Sequence, residues 1–356
     1  MNKKMKVGIV GCGEIAQISH IPYLLEMPNY EVKAICDLSP TVVERLGDKY
    51  HINKRFTDYT DLVQDAELDI VLVTNKNHAP VTLAAMENGK HVFVEKPIAF
   101  NLAQADEVVR SVKRNNVKLL VGYMKQYDPA YAAMKKLLPE IEKIHLIRVH
   151  EFAGTYTINQ EIYDLVKASD LDPDLLREVI KQDQAEMLKD IGPERADLLD
   201  AHDIMIHLSI HDINALHGLV GLPETIVSAD LYDSNFVTAL MQYDNGTHLV
   251  WESGNLVTLM DWDEHITVYG SNRSVELRFP FPYLKNAASE LNIRENDDRA
   301  AVRKQVITSF DEAFRREWKH LYDCIINDRQ PQTDAEMARQ DLEFAVELTR
   351  KAAGID

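Results

Sequence analysis

Lys6-Val7-Gly8-Ile9-Val10-Gly11-Cys12-Gly13-Glu14-Ile15-Ala16 reads as an apolar strand, a glycine turn and the start of a helix. The spacing is G-x-G-x-x-A in the strand–turn–helix setting of a dinucleotide fingerprint. Each small residue has a steric reason. Gly11 permits the tight turn, Gly13 lets the backbone approach a pyrophosphate, and Ala16 allows the helix to pack closely on the strand. The helix opening at Glu14 and Ile15 offers unpaired N–H groups and the positive end of its dipole to the phosphates. Gly11, Gly13, Glu14 and Ile15 are therefore candidate cofactor-binding residues.

Glycine turns before helices are common, so the acid that should follow about 20 residues on decides the reading. The second apolar run, Glu31-Val32-Lys33-Ala34-Ile35-Cys36, ends at Asp37. A carboxylate there accepts the ribose hydroxyls of an adenosine and repels a 2′-phosphate, and no arginine follows it directly. NAD is expected in preference to NADP. The competing role for Asp37 is N-cap of a helix starting near Pro40.

The 356 residues suffice for two domains with separate cores. A hydrophobic fraction of 46% and a charged fraction of 27% are those of an ordinary globular protein. A formal net charge of −18 argues against nucleic acid or an anionic membrane as partner, since both need a basic footprint. No apolar stretch approaches the ~20 residues of a membrane span. Cys12, Cys36 and Cys324 show neither pairing nor metal-ligand spacing, which points to a reducing cytoplasm.

Up to about residue 125 the pattern alternates. Strands are predicted at 6–11, 31–36, 68–74, 91–95 and 117–123, and helices near 14–27, 40–50, 78–89 and 101–115. Such alternation implies a doubly wound parallel sheet with helices on both faces, and ligands bind beyond the carboxyl ends of its strands. The rest reads differently. A helix near 129–138 and a strand at 144–152 precede about fifty charged, mainly helical residues, interrupted at Asp172-Pro173 and Gly192-Pro193. That segment reads as a lid, a subunit contact or a solvated insertion. A helix from Asp203 to Val220 follows, then strands at 224–232, 236–243, 247–259 and 265–279, and two terminal helices near 309–327 and 334–353. Residues 1–125 are thus expected to form a Rossmann domain, and 126–356 an α+β domain with an open, largely antiparallel sheet.

The fourth predicted strand ends in Glu95-Lys96-Pro97, and the fifth runs into Gly122-Tyr123-Met124-Lys125-Gln126-Tyr127-Asp128. With the glycine turn and His211 in Ile210-His211-Asp212-Ile213, the chain resembles the Gfo/Idh/MocA oxidoreductases, especially the inositol dehydrogenase-like members. The resemblance implies hydride transfer between a secondary alcohol of a sugar, polyol or sugar acid and a nicotinamide. Lys96 would hydrogen-bond the substrate oxygen and carry its proton. A nearby cationic ring and partial desolvation would lower its pKa. His211 would be the second proton carrier, its ordinary pKa near ~6.5 suiting that role. Glu95, Lys96, Thr74, Asn75 and His78 match positions around the nicotinamide side of the cofactor. Met124 and Lys125 match substrate-pocket positions, the second usually arginine. Family members also suggest a homodimer or homotetramer.

One departure stands out. Inositol dehydrogenase-like members carry aspartate one helical turn before the histidine, where this chain has His207. An imidazole can bind a substrate hydroxyl but raises the basicity of His211 less than a carboxylate does, so myo-inositol itself is not the expected substrate. Asp203, another turn back, is placed to charge-pair with His207. Asp203, His207 and His211 also have a spacing that could chelate zinc. No glutamate or cysteine completes the set, and no metal is expected. Two further readings keep the fold: a catalytically silent NAD-binding sensor, and an NAD-dependent glycosidase.

Overall fold

The computed structural model describes residues 3–155, 157 and 161–355. They pack as two compact units. One comprises Met1–Gly122, Tyr163–Pro193 and Glu317–Leu342, and the other Tyr123–Ile162, Glu194–Arg316 and Glu343–Asp356.

The first unit is built on six parallel strands: β1 (Met5–Val10), β2 (Tyr30–Cys36), β3 (Lys54–Phe56), β4 (Ile70–Val73), β5 (His91–Glu95) and β6 (Leu119–Gly122), in the order β3-β2-β1-β4-β5-β6. The chain reverses direction across the sheet between β1 and β4, which is where such sheets bind ligands. The central strands are buried on both faces, as Ile70-Val71-Leu72-Val73 requires. The short strand Lys54–Phe56 at the edge escaped the sequence reading because it has only one apolar residue. The helices start where local chemistry says they must. Ser39 caps Pro40–Tyr50 through its hydroxyl and Asn101 caps Leu102–Asn115. Asp37 is therefore not the cap.

The second unit holds eight strands: β7 (Ile144–Gly154), β8 (Thr225–Tyr232), β9 (Phe236–Gln242), β10 (His248–Leu256), β11 (Trp262–Gly270), β12 (Arg273–Arg278), β13 (Glu290–Asp297) and β14 (Ala300–Ile307). Their order is β14-β13-β12-β11-β7-β10-β9-β8, antiparallel throughout except for β7 beside β10. Pro129–Leu137 packs on β12 and β13, and Ile210–Val220 on β7, so the helices lie on one face. Alternation in β7 buries Ile147, Val149, Glu151 and Ala153 toward that face.

Three expectations change. The span 265–279 is a hairpin, β11 turning into β12. The strands β13 and β14 were not expected, since Glu290–Ile307 is too charged to read as a strand. The helices expected at 14–27 and 203–220 each contain a π turn, at Ala16–His20 and Met205–Ser209. These wide turns are rare, and many sit at functional sites.

Candidate functional site

In the first unit the register of β1 and β2 pairs Val10 with Cys36, so Gly11 and Asp37 leave their strands side by side. The Gly11 N–H donates to Cys36 O at 2.9 Å. Gly11 has φ +90°, and a Cβ on it would lie 2.3 Å from Asn75 N, so both conformation and space demand glycine. A Cβ on Gly13 would meet nothing within 4 Å. That open side is what a closely approaching pyrophosphate needs.

Asp37 accepts the Cys12 N–H through one oxygen at 2.8 Å and the Ser39 N–H through the other at 3.0 Å. Each oxygen keeps an acceptor lone pair, enough for ribose hydroxyls. Burial, then the Asp37 charge, pushes the Cys12 thiol well up, which leaves it inert.

The loops after β4 and β5 are tied together. Thr74 donates its hydroxyl to Gly11 O and Val10 O. Asn75 Nδ2 donates to Asn77 O at 2.6 Å, and its buried Oδ1 has no hydrogen-bond partner among the described residues. His78 Nδ1 donates to Pro97 O at 2.6 Å. The Lys96–Pro97 peptide is cis. Lys96 is half-buried, and its N–H donates to Glu95 Oε2 at 3.3 Å.

Glu95 is itself held from behind. His20 Nε2 lies 2.9 Å from Glu95 Oε1, while the Trp318 indole N–H donates to His20 Nδ1 at 3.1 Å. That donation makes Nδ1 the acceptor and Nε2 the donor to Glu95. Burial alone would raise the Glu95 pKa, but the His20 hydrogen bond and neighbouring positive groups hold it below the usual range. Sequence reading missed His20 and Trp318, which lie far apart in the chain.

In the second unit, the turn Met124–Tyr127 packs on helix Ile210–Val220. Met124 is half-buried and Lys125 fully buried. The Lys125 ammonium stands 2.8 Å from Asp212 Oδ2, contacts Glu264 Oε1 and lies 4.6 Å from the centre of the Phe279 ring. The Trp262 indole N–H donates to the other Glu264 oxygen at 3.0 Å. Glu151 completes the cluster: its carboxylate and those of Asp212 and Glu264 have oxygens all within 4.8 Å of one another. Burial opposes the Lys125 charge, yet Asp212 and Glu264 outweigh it and raise its pKa. Burial also pushes the Asp212 pKa well up and that of Glu151 up to about 7. A signal for the cluster was present. Glu151 and Glu264 occupy buried phases of alternating strands, where an acid needs a partner.

His207 and His211 lie on the same helical run, half-buried and separated by the end of the π turn. His207 Nδ1 donates to Asp203 O at 3.0 Å and stands 3.1 Å from Asp203 Oδ1. Asp203 thus supplies the neighbouring carboxylate. The insertion is mostly exposed along helix Pro173–Met187, yet Tyr163–Pro193 packs with the first unit. Asn77 Nδ2 donates to Asp183, Asn101 Nδ2 to Glu186, and the Leu102 N–H to Asp190.

Comparison with known proteins gives a consistent assignment. Residues 5–123 match the profile "Oxidoreductase family, NAD-binding Rossmann fold" of Gfo/Idh/MocA, and residues 203–354 match the C-terminal alpha/beta domain of the same family. An inositol 2-dehydrogenase of Salmonella typhimurium is 34% identical over 151 residues, 41% of this chain and 45% of that protein. The chain therefore aligns with under half the length of such curated relatives. Among solved structures, an aldose-aldose oxidoreductase from Caulobacter crescentus complexed with glycerol superposes with TM-score 0.76 at 19% identity, covering 99% of this chain and 98% of that one. A 3-ketoreductase from Actinomadura kijaniata in complex with TDP-benzene and NADP gives TM-score 0.75 at 16% identity, covering 98% of each chain.

Proposed function

The chain belongs to the Gfo/Idh/MocA oxidoreductase family, and from that membership we propose an NAD-dependent dehydrogenase acting on a secondary alcohol of a sugar, polyol or sugar acid. Residues 1–125 would carry the cofactor, and 126–356 the substrate and the contacts of a cytoplasmic homodimer or homotetramer. Among the described residues no helix is long and apolar enough to cross a membrane.

The observation that carries the reading is the common exit of Gly11, Asp37, Thr74 and Lys96 from the carboxyl ends of neighbouring strands. The residues fit a dinucleotide: an open face at Gly13, an unpartnered buried Asn75 Oδ1, and a carboxylate at Asp37 with acceptor capacity to spare. Gly11, Gly13, Glu14 and Ile15 would hold the pyrophosphate, Asp37 the adenosine ribose, and Thr74, Asn75, His78 and Glu95 the nicotinamide side. When bound, the nicotinamide supplies a hydride acceptor at C4.

Lys96 orients the reacting hydroxyl and stabilises the oxygen as its proton leaves. Glu95 fixes the backbone of Lys96 through the N–H contact. His211 accepts the proton, and Met124, Lys125 and His207 shape the substrate side. Because Lys125 spends its charge on Asp212 and Glu264, it acts chiefly by holding the helix that presents His211. Sugar-acting relatives support the substrate class. The test is NAD reduction, followed by absorbance, over a panel of polyols, aldoses and aldonic acids. Turnover by the wild type that is abolished in Lys96→Ala supports the reading. Absence of turnover across the panel, or full turnover in Lys96→Ala, refutes it.

A further inference from the structure

A second carboxylate stands beside Asp37, and it comes from the inserted segment. Asp170 accepts the Ser39 hydroxyl through Oδ1, and through Oδ2 the Thr41 N–H at 2.8 Å and the Thr41 hydroxyl at 2.7 Å. Ser39 is shared. Its N–H goes to Asp37 and its hydroxyl to Asp170. The cradle is thus the opening turn of helix Pro40–Tyr50, two residues past the acid assigned to the ribose, and it already holds an anion.

The segment that brings Asp170 is fixed at two earlier points. Gln17, buried on the π turn that follows the glycine loop, donates to Val166 O at 2.9 Å and to Cys12 O at 2.8 Å. It accepts the Val166 N–H at 2.8 Å. Lys49 donates to Asp164 O at 2.8 Å and pairs with its carboxylate at 3.0 Å. From Asp164 to Asp170 the chain therefore runs alongside helix Pro40–Tyr50, from its last turn at Lys49 to its first at Ser39 and Thr41.

We propose that Asp170 is a cofactor-specificity residue: its carboxylate fills the donor cradle of Ser39 and Thr41 and so excludes the 2′-phosphate of NADP. The inference rests on the reading of Gly11–Asp37 as a dinucleotide site and extends it. A phosphate monoester beside the ribose would seek the same two hydroxyls and the same N–H at a helix start. With Asp170 in place those donors are taken, and the incoming dianion meets a fixed negative charge. NAD, bearing only a hydroxyl at that carbon, needs none of them. Hydrogen bonds from Ser39 and Thr41 draw the Asp170 pKa down to about 2, so the charge persists at any working pH. Selectivity would then have two layers, one in the nucleotide domain and one borrowed from a distant segment.

The experiment measures dissociation constants for NADH and NADPH by fluorescence titration, with melting temperature alongside, in wild type, Asp170→Ala and Asp170→Asn. Asp170 is exposed, so both variants should fold. The expected result is wild-type preference for NADH, at least tenfold tighter NADPH binding in Asp170→Ala, and NADH affinity within twofold. Asp170→Asn should shift the same way by less. An unchanged NADPH-to-NADH ratio in both variants overturns the inference, because Asp170 would then be only a helix cap. Wild type binding both cofactors equally also overturns it but spares the dinucleotide site. Wild type binding neither removes the parent reading and this one together.

Discussion

Gly122 faces the Glu95 carboxylate across the β5–β6 pair, and a Cβ added to it would lie 2.9 Å from Oε1 and 3.1 Å from Oε2. The glycine is a space requirement. Glu95 is buried and already bonded to His20, so it has no free rotamer to retreat into. Gly122→Ala should cost about 1–3 kcal/mol of stability through overpacking, read by urea denaturation. It should also slow turnover by moving Lys96. A wild-type denaturation midpoint would show that Glu95 is not fixed.

Lys125 neutralises two buried acids at once. Lys125→Met should destabilise the fold by about 3–5 kcal/mol, the usual cost of leaving buried carboxylates unpaired. Adding Glu264→Gln to that variant should recover part of the loss. If the single variant melts like wild type, water reaches the cluster and the ion pairs matter little.

Glu151 gives the stability a pH signature. Its folded pKa is pushed above the ordinary carboxylate value of 4.5 to about 7 by burial, with the Glu264 charge adding to this against Lys125. The folded chain therefore binds the proton more tightly than the unfolded chain does. That contribution is complete below the ordinary value and fades as pH rises through about 7. Melting temperature should fall between pH 5 and pH 8, and the fall should be shallower in Glu151→Gln. Parallel curves for the two proteins would refute this.

The two proposed proton carriers separate from cofactor binding. Lys96→Ala and His211→Ala should each lower kcat by about a hundredfold or more while leaving the NADH dissociation constant near wild type. Lost NADH affinity in either variant would assign that residue to binding instead.

The cofactor half was readable because its chemistry is local. Gly11, Gly13 and Asp37 lie within one strand–turn–helix–strand unit, and the small-residue spacing follows from sterics alone. The parallel sheet was readable for a related reason, since β4 and β6 are continuous apolar runs. Long-range partnerships were not. Nothing near Glu95 announces His20 or Trp318, and nothing near Ser39 announces Asp170. The acids around Lys125 arrive from β7, from β11 and from a helix, so only the assembled sheet brings them together. The outer strands β13 and β14 escaped because edge positions tolerate charge, which blurs the alternation that marks a strand.

The π turn at Met205–Ser209 makes chain length itself a variable of the site. The wide turn takes up about one more residue than an ordinary α turn, so removing one residue there would return the segment to α-helix while Asp212 and His211 keep their directions. A protein that is one residue shorter across this stretch can therefore show its partners the same side chains at positions shifted by one. Such chains should be compared by angular position around the helix axis, not by counting residues.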